Sequence, residues 1–299
     1  MKYVTLGRTG ERVSRIGFGG FPLSARNLSR GWDPYSTEGR AAGVRTVRRA
    51  LDLGINYVDT AEGYGDGHSE RIIGEALEGR RDEVFIATKV GLHRQSAEEV
   101  TEAVHGSLER LGCDCVDLVQ FHGGVYDEEV TRRIVENGPM DALLRLRERG
   151  KLRFIGATTE EPITLRRLMR TGLLDVIQIR YNLIYQSAAH HILGEARQQN
   201  VGVTVMRPLT SGILHYLAGR LLPELAEGCD LYETCLKYVL ADSRVQVANV
   251  GMRWPEEVEA NCRLTDQFEP PFDVADLPRA TRTVYKTLDA EQNPRGDTP

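Results

Sequence analysis

The sequence predicts an α/β fold, a (β/α)8 TIM barrel with an N-terminal β-hairpin plugging the bottom. Three observations predict it. Short apolar runs alternate with amphipathic segments along the chain. The runs are β-branched and nearly continuous, as parallel strands covered on both faces require. Eight such units over about 280 residues also match the size of a barrel, typically about 250 residues.

The elements follow in order. YVTL and ERVSRI flank GRTG, which reads as a hairpin turn ahead of the barrel. RIGFGG (15–20) is the first barrel strand, followed by INYVDT (55–60), EVFIATK (83–89), CVDLVQFH (115–122) and LRFIGAT (152–158). DVIQIRY (175–181), GVTVMRP (202–208) and VQVANVG (245–251) complete the set. Segments 40–53, 69–78, 128–149, 161–170 and 187–199 have helical periodicity. In SAEEVTEAVHGSLERLG, Val100, Ala103, Val104, Leu108 and Leu111 form one stripe, with Ser96 and Glu99 as a capping box. A doubly wound sheet would want GxGxxG after an early strand, and GFGGFP lacks the third glycine. No low-complexity linker interrupts 1–265, which is expected to be one barrel domain. Residues 266–299 read as a polar, proline-bearing tail with one helix near 276–288 and a loose end.

Composition narrows the function. With 41% hydrophobic and 27% charged residues and a net charge of −5, the chain carries no nucleic-acid footprint. Its start has no apolar run of signal-peptide length, and no window approaches the roughly 20 apolar residues of a membrane span. The expected address is the cytoplasm, with no membrane partner. Cys113, Cys115, Cys229, Cys235 and Cys262 lack CxxC spacing or a companion histidine cluster, so they read as reduced thiols, and no metal site is expected. His190 and His191 are adjacent and diverge on a helix, and His68 is expected to cap the helix that follows it. Neither supplies a metal motif.

In a barrel, active-site residues sit at the C-terminal ends of strands and in the loops after them. Asp59 closes the second strand, Lys89 the third and His122 the fourth, while Tyr64 follows Asp59 on its loop. Each residue alone has a bland reading: a loop cap, a solvated strand end, a packed turn aromatic. Four of them on consecutive strand ends require four bland readings at once. Lysine is also scarce here, only five of the 38 basic residues, so the one at a strand end stands out. The set is chemically coherent. An ammonium beside a phenol favours the phenolate, a carboxylate holds the ammonium, and a neutral histidine donates to a carbonyl oxygen.

With their flanking strings, these residues resemble the aldo-keto reductase family. YVTLGRTGERVSRIGFGG, VDTAEGYGDGHSERIIGEAL, TKV, VDLVQFH, IGATT, IQIRYN, RPLTSGIL and VGMRWPEEVEAN carry the resemblance from about residue 2 to 265. It implies Asp59, Tyr64, Lys89 and His122 as the catalytic tetrad of an NAD(P)(H)-dependent oxidoreductase. Hydride would pass between nicotinamide and an aldehyde, ketone, sugar or secondary metabolite. The resemblance further implies NADP(H) or NAD(H) bound at the barrel mouth. Gly20 and Phe21 would border it, Thr158, Thr159 and Gln178 would hold the nicotinamide amide, and Met206 replaces a stacking tyrosine. Arg207, Leu209 and Ser211 fall at the pyrophosphate, and Gly251, Arg253, Glu257 and Asn261 at the adenosine.

Thr159, Arg207 and Ala260 depart from the family's usual asparagine, serine and glutamate. Gly251, Met252 and Glu257 stand where relatives grip a 2′-phosphate with a lysine, a serine and an arginine. Weak discrimination with NAD(H) usable is therefore expected. Trp32 and Tyr35, on the long loop FPLSARNLSRGWDPYST, and Tyr126 are candidate substrate-pocket residues. The partner is a small carbonyl or alcohol. Rival readings are a cofactor-sensing regulatory subunit resembling potassium-channel β-subunits, and a barrel that dehydrates or isomerises with a tightly held cofactor. The sequence leaves oligomeric state open.

Overall fold

The computed structural model describes residues 1–221, 223 and 230–266. The expected tail helix near 276–288, and Cys229, lie outside the described residues. Strands β1 (Tyr3–Thr5) and β2 (Arg12–Ser14) form an antiparallel hairpin in the register Tyr3↔Ser14. Between them Gly7 adopts φ 49°, and a Cβ there would lie 2.3 Å from the backbone nitrogen of Gly202. That close approach seats the hairpin against the barrel floor. Leu6 and Val13, both fully buried, pack there with Tyr57, Phe85, Leu118, Val176 and Val247.

Eight parallel strands close the barrel: β3 (Ile16–Gly19), β4 (Tyr57–Asp59), β5 (Phe85–Gly91) and β6 (Val116–His122), then β7 (Leu152–Thr159), β8 (Val176–Arg180), β9 (Gly202–Met206) and β10 (Val247–Gly251). Strand β10 pairs with β3 through Ala248↔Ile16 to Gly251↔Gly19 and shuts the cylinder. Side chains alternate along a strand, so each strand sends one set inward and the other under the helices.

The outer layer comprises α1 (Thr37–Asp52), α2 (His68–Ala76), α3 (Ala97–Leu111), α4 (Glu128–Glu136), α5 (Pro139–Glu148) and α6 (Pro162–Met169). It continues with α7 (Ser187–His191), α8 (Leu193–Gln198), α9 (Leu214–Leu221), α10 (Leu231–Ala241) and α11 (Pro255–Asp266). The capping box of α3 is formed: Ser96 Oγ accepts from the Glu99 amide at 3.2 Å, and Glu99 Oε2 accepts from the Ser96 amide at 3.0 Å. The first helix starts earlier than its periodicity indicated, because Ser36 caps it by accepting from the Gly39 amide.

Two segments expected to be single helices are each broken. Residues 128–149 split at Gly138, whose φ of 107° is left-handed, and Pro139 then opens α5 at a position where its missing N–H costs nothing. Residues 187–199 split at Ile192, where φ −128° leaves the helical region.

Candidate active site

Strand alternation brings Asp59, Lys89, His122 and Gln178 to the inner face at the C-terminal mouth. Lys89 and Gln178 are the most deeply placed, each 1% exposed. The Lys89 Nζ donates to Asp59 Oδ1 at 2.6 Å, to the Thr60 carbonyl at 2.7 Å and to the Tyr64 hydroxyl at 3.3 Å. All three ammonium protons are used. Burial alone would lower the Lys89 pKa, but Asp59 and Tyr64 outweigh it and leave it raised, so the side chain is a cation. Asp59 Oδ2 accepts from Gln178 Nε2 at 2.8 Å, so one carboxylate fixes both residues.

Tyr64 arrives from the loop after β4, where Gly65, Asp66 and Gly67 take positive φ of 63°, 52° and 74° and turn the chain back toward the mouth. Its ring meets His122 edge to face at 5.4 Å and Phe21 at the same centroid distance. Burial raises the Tyr64 pKa, Lys89 opposes it, and burial prevails. The lysine therefore moderates the phenol without ionising it, and Tyr64 is a protonated acid in this arrangement. His122 is held down to about 3 by burial and then by the Lys89 charge, so its ring is neutral near pH 7.

The residues expected at the cofactor are spread around the rim. Gly20, Phe21, Met206, Arg207 and Ser211 lie around the mouth, with Phe21 54% exposed. Arg207, Thr210 and Ser211 all have positive φ (54°, 45° and 56°), a concentration of strain in one turn that also contains the buried Leu209. Arg207 Nε pairs with Glu160 at 2.6 Å, and Arg180 donates to the same carboxylate at 3.1 Å. After β10, Glu257 Oε2 accepts from the Arg253 amide at 2.6 Å beside the exposed Gly251. Arg253 Nε is buried with no partner among the described residues, which suits an acceptor supplied by a nucleotide. Asn261 is spent within the protein, donating to the Glu257 carbonyl and accepting from Tyr232.

Thr158 and Gln178 face inward, whereas Thr159 faces the helices and its hydroxyl donates to the Gly124 carbonyl at 2.8 Å. Thr158 Oγ1 accepts from the Gly123 amide at 2.8 Å, tying β7 to the loop after His122. Of the substrate-pocket candidates, Trp32 and Tyr126 are buried supports and Tyr35 is exposed. Trp32 is 1% exposed, donates to the Pro22 carbonyl at 2.8 Å and packs edge to face on Trp254. Tyr126, also 1% exposed, donates to the Phe121 and Thr158 carbonyls. Tyr35 is 41% exposed, but His68 stacks on its ring at 4.3 Å and Arg26 lies over it at 4.6 Å. His68 does not cap α2, whose N-cap is Gly67; its Nε2 bonds the Pro34 carbonyl instead.

Two residues escaped the sequence reading. Asn182 is fully buried, and its amide donates to the Arg207 carbonyl and Thr210 Oγ1 while its oxygen accepts from the Ile184 and Tyr185 amides. It pins the strained turn. Glu62 accepts from the Gly91 amide and from Arg94, bracing the Tyr64 loop against the end of β5. An asparagine one residue past an apolar run was the only signal for the first. On the opposite side of the barrel, a groove of about 620 Å³ lined by Arg81, Asp117 and Arg153 holds charges that pair with one another. Among the described residues no group of three metal-ligating side chains occurs, and no helix is long and apolar enough to cross a membrane.

Comparison with known proteins agrees with this geometry. The model of the aldo/keto reductase family matches residues 15–276. The chain is 32% identical to an L-galactose dehydrogenase of Arabidopsis thaliana, over 88% of each chain. It is 31% identical to an NADH-specific methylglyoxal reductase of Escherichia coli strain K12, over 72% of this chain and 69% of that one. The holo form of an aldo-keto reductase from Bacillus halodurans superposes with a TM-score of 0.78 at 26% identity, covering 95% of this chain and 96% of that one. A closed barrel with an acid, a phenol, an ammonium and a neutral imidazole gathered at its mouth thus has both sequence and structural kin, and the chain belongs to the aldo/keto reductase family, whose members are NAD(P)(H)-dependent oxidoreductases of carbonyl and alcohol substrates.

Proposed function

We propose that Asp59, Tyr64, Lys89 and His122 form the catalytic set and that the enzyme works as a carbonyl reductase or, in reverse, an alcohol dehydrogenase. The observation that carries this is the fully satisfied Lys89 ammonium between Asp59 and Tyr64. When bound, the nicotinamide supplies or accepts the hydride. Tyr64, kept protonated by burial, donates its proton to the carbonyl oxygen. Lys89 stabilises the phenolate that remains, and Asp59 keeps the lysine charged and in place. His122, neutral, donates a ring N–H to the same oxygen and orients it. Gln178, aligned by Asp59, and Thr158 would hold the nicotinamide amide. The turn at 207–211 would meet the pyrophosphate, and Gly251, Arg253 and Glu257 the adenosine.

Phe21, 54% exposed and edge to face with Tyr64, and Val125, 51% exposed on the loop that follows His122, are the proposed substrate wall. Glu257 carries negative charge where a 2′-phosphate would sit, and Arg253 offsets it, which supports weak discrimination with NAD(H) usable. The reading takes 1–265 as the catalytic barrel and a cytoplasmic address. Nothing in the comparisons favours a regulatory subunit. A panel of aldehydes, ketones and sugars assayed with NADH and NADPH tests the proposal. Turnover of at least one class that is lost in Tyr64→Phe is expected. Cofactor binding without turnover of any class would sink the enzymatic reading of the set.

A further inference from the structure

The barrel interior immediately beneath the catalytic set is polar. Tyr57, Gln120, Thr204 and Asn249 are 0%, 0%, 0% and 7% exposed. Among the described residues, both amide atoms of Gln120 and of Asn249 have no hydrogen-bond partner, and the Tyr57 and Thr204 hydroxyls make no bond of good geometry although Thr204 lies near enough to Tyr57 to act on its phenol. Their positions are tied to Asp59. Tyr57 precedes it by two residues on the inner face of β4. Gln120 is the cross-strand partner of Lys89, and Thr204 is the partner of Gln178. Both ligands of Asp59 therefore have one of these unsatisfied residues beside them.

Asn249 and Tyr57 converge on the space that Gly17 leaves, since a Cβ there would lie 2.3 Å from Asn249 Oδ1 and 2.9 Å from Tyr57 Cδ1. Below this layer the floor is apolar, with Tyr57 and Phe85 stacked at 5.3 Å, Phe85 and Phe154 at 6.0 Å, and Leu118, Val176 and Val247 around them. Buried amides and hydroxyls are otherwise almost always paired, with protein or with internal water.

We propose that this layer is a closed hydration site of about two water molecules, each making about three hydrogen bonds, and that it solvates the underside of the Asp59 carboxylate and so positions the catalytic ion pair. The donors and acceptors on offer are mixed, which suits water. A cation would use only the oxygens and would face the Lys89 ammonium, so it is the wrong occupant. Burial raises the Tyr57 pKa well above its usual value and Asp59 adds to that, while the nearby Thr204 hydroxyl opposes both. Tyr57 thus stays a neutral donor within the field of Asp59. The hydration site screens that carboxylate more than it screens Lys89, whose three protons already have protein partners. Removing it strengthens the Asp59 field at Tyr64 and makes the phenol harder to ionise.

The functional half of this inference rests on Tyr64 as the proton carrier; the structural half does not. A crystal structure of the cofactor-free protein at a resolution that orders internal solvent is expected to show water bonded to Gln120, Asn249 and Thr204, and to lose it in Gln120→Leu. Dry density, or side chains turned to pair with one another, overturns the site. In Gln120→Leu the alkaline limb of the oxidation pH profile is expected to move up by about 0.5 unit or more. An unmoved limb in a variant that has lost the water overturns the positioning role while leaving the general-acid assignment of Tyr64 to its own phenylalanine test. If Gln120→Leu does not fold, Thr204→Val carries the same two measurements.

Discussion

The two sides of the barrel mouth are built differently. On the β4–β6 side, Asp59, Lys89, Tyr64 and His122 are set by strand register, and Lys89 has every proton engaged within the protein. On the β9–β10 side, the polypeptide holds three non-glycine residues at positive φ, an ion pair that straddles loops (Arg207 with Glu160) and a buried guanidinium nitrogen without a partner among the described residues. The first side is complete before any ligand arrives. The second keeps strain and one unsatisfied donor, Arg253 Nε, that a ligand could relieve, as binding turns generally do. Under the proposed function, preorganisation lies where charge would develop in the reaction, and adaptability where the nucleotide would enter and leave.

The sharpest way to break this contrast is Tyr64→Phe. Losing the proton donor should reduce turnover by about 10²- to 10⁴-fold, with NADH and NADPH dissociation constants measured by fluorescence nearly unchanged. A comparable loss of cofactor affinity would mean that the two sides are not separable. Next in size is Lys89→Met, which leaves Asp59 buried with only Gln178 for company. Denaturant melts should show a loss of about 3 to 5 kcal/mol. The Tyr64 limb of the pH profile should move to higher pH, because Lys89 is what opposes burial at the phenol. Full stability in the methionine variant would indicate that Asp59 had found another partner.

His122 gives a pH-dependent test on the same side. Its folded pKa of about 3 lies below the unfolded value near 6.5, so the unfolded chain binds the proton first. The stability this neutral ring confers is present above pH 6.5 and falls as the pH drops toward 3. At pH 5 the loss is about 2 kcal/mol. His122→Gln should flatten that part of the stability curve, and parallel curves for the two proteins would contradict the assigned burial. The smallest effect belongs to the nucleotide side. Glu257→Arg should shift preference toward NADPH by about 1 kcal/mol, the scale of a partly exposed charge. Because Glu257 also accepts from the Arg253 amide, Glu257→Gln is the cleaner variant: it keeps an acceptor and removes only the charge. A cofactor ratio unchanged in both would move the phosphate site elsewhere.

The same contrast separates what was readable in advance. The tetrad could be placed because strand ends and βα spacing are properties of local sequence, and the capping box at Ser96 and Glu99 likewise depends on neighbours three residues apart. Trp32 and Tyr126 were candidate pocket residues and prove to be buried, because an aromatic in a loop looks the same in sequence whether it faces a substrate or a carbonyl in the next loop. The break at Gly138–Pro139 had a local signal that the apolar stripe obscured; that at Ile192 had none.

By itself the amino-acid sequence determined the eight-unit barrel, the hairpin ahead of it and the placing of Asp59, Tyr64, Lys89 and His122 at one rim, because apolar periodicity and strand-end position are short-range patterns. Only tertiary structure decided that Asp59 grips Gln178 119 residues away, that Tyr64 is held protonated against its lysine, and that unpartnered amides and hydroxyls gather beneath them. Those outcomes depend on which strands become neighbours and on how much water burial removes from each group, and neither quantity exists until the barrel closes.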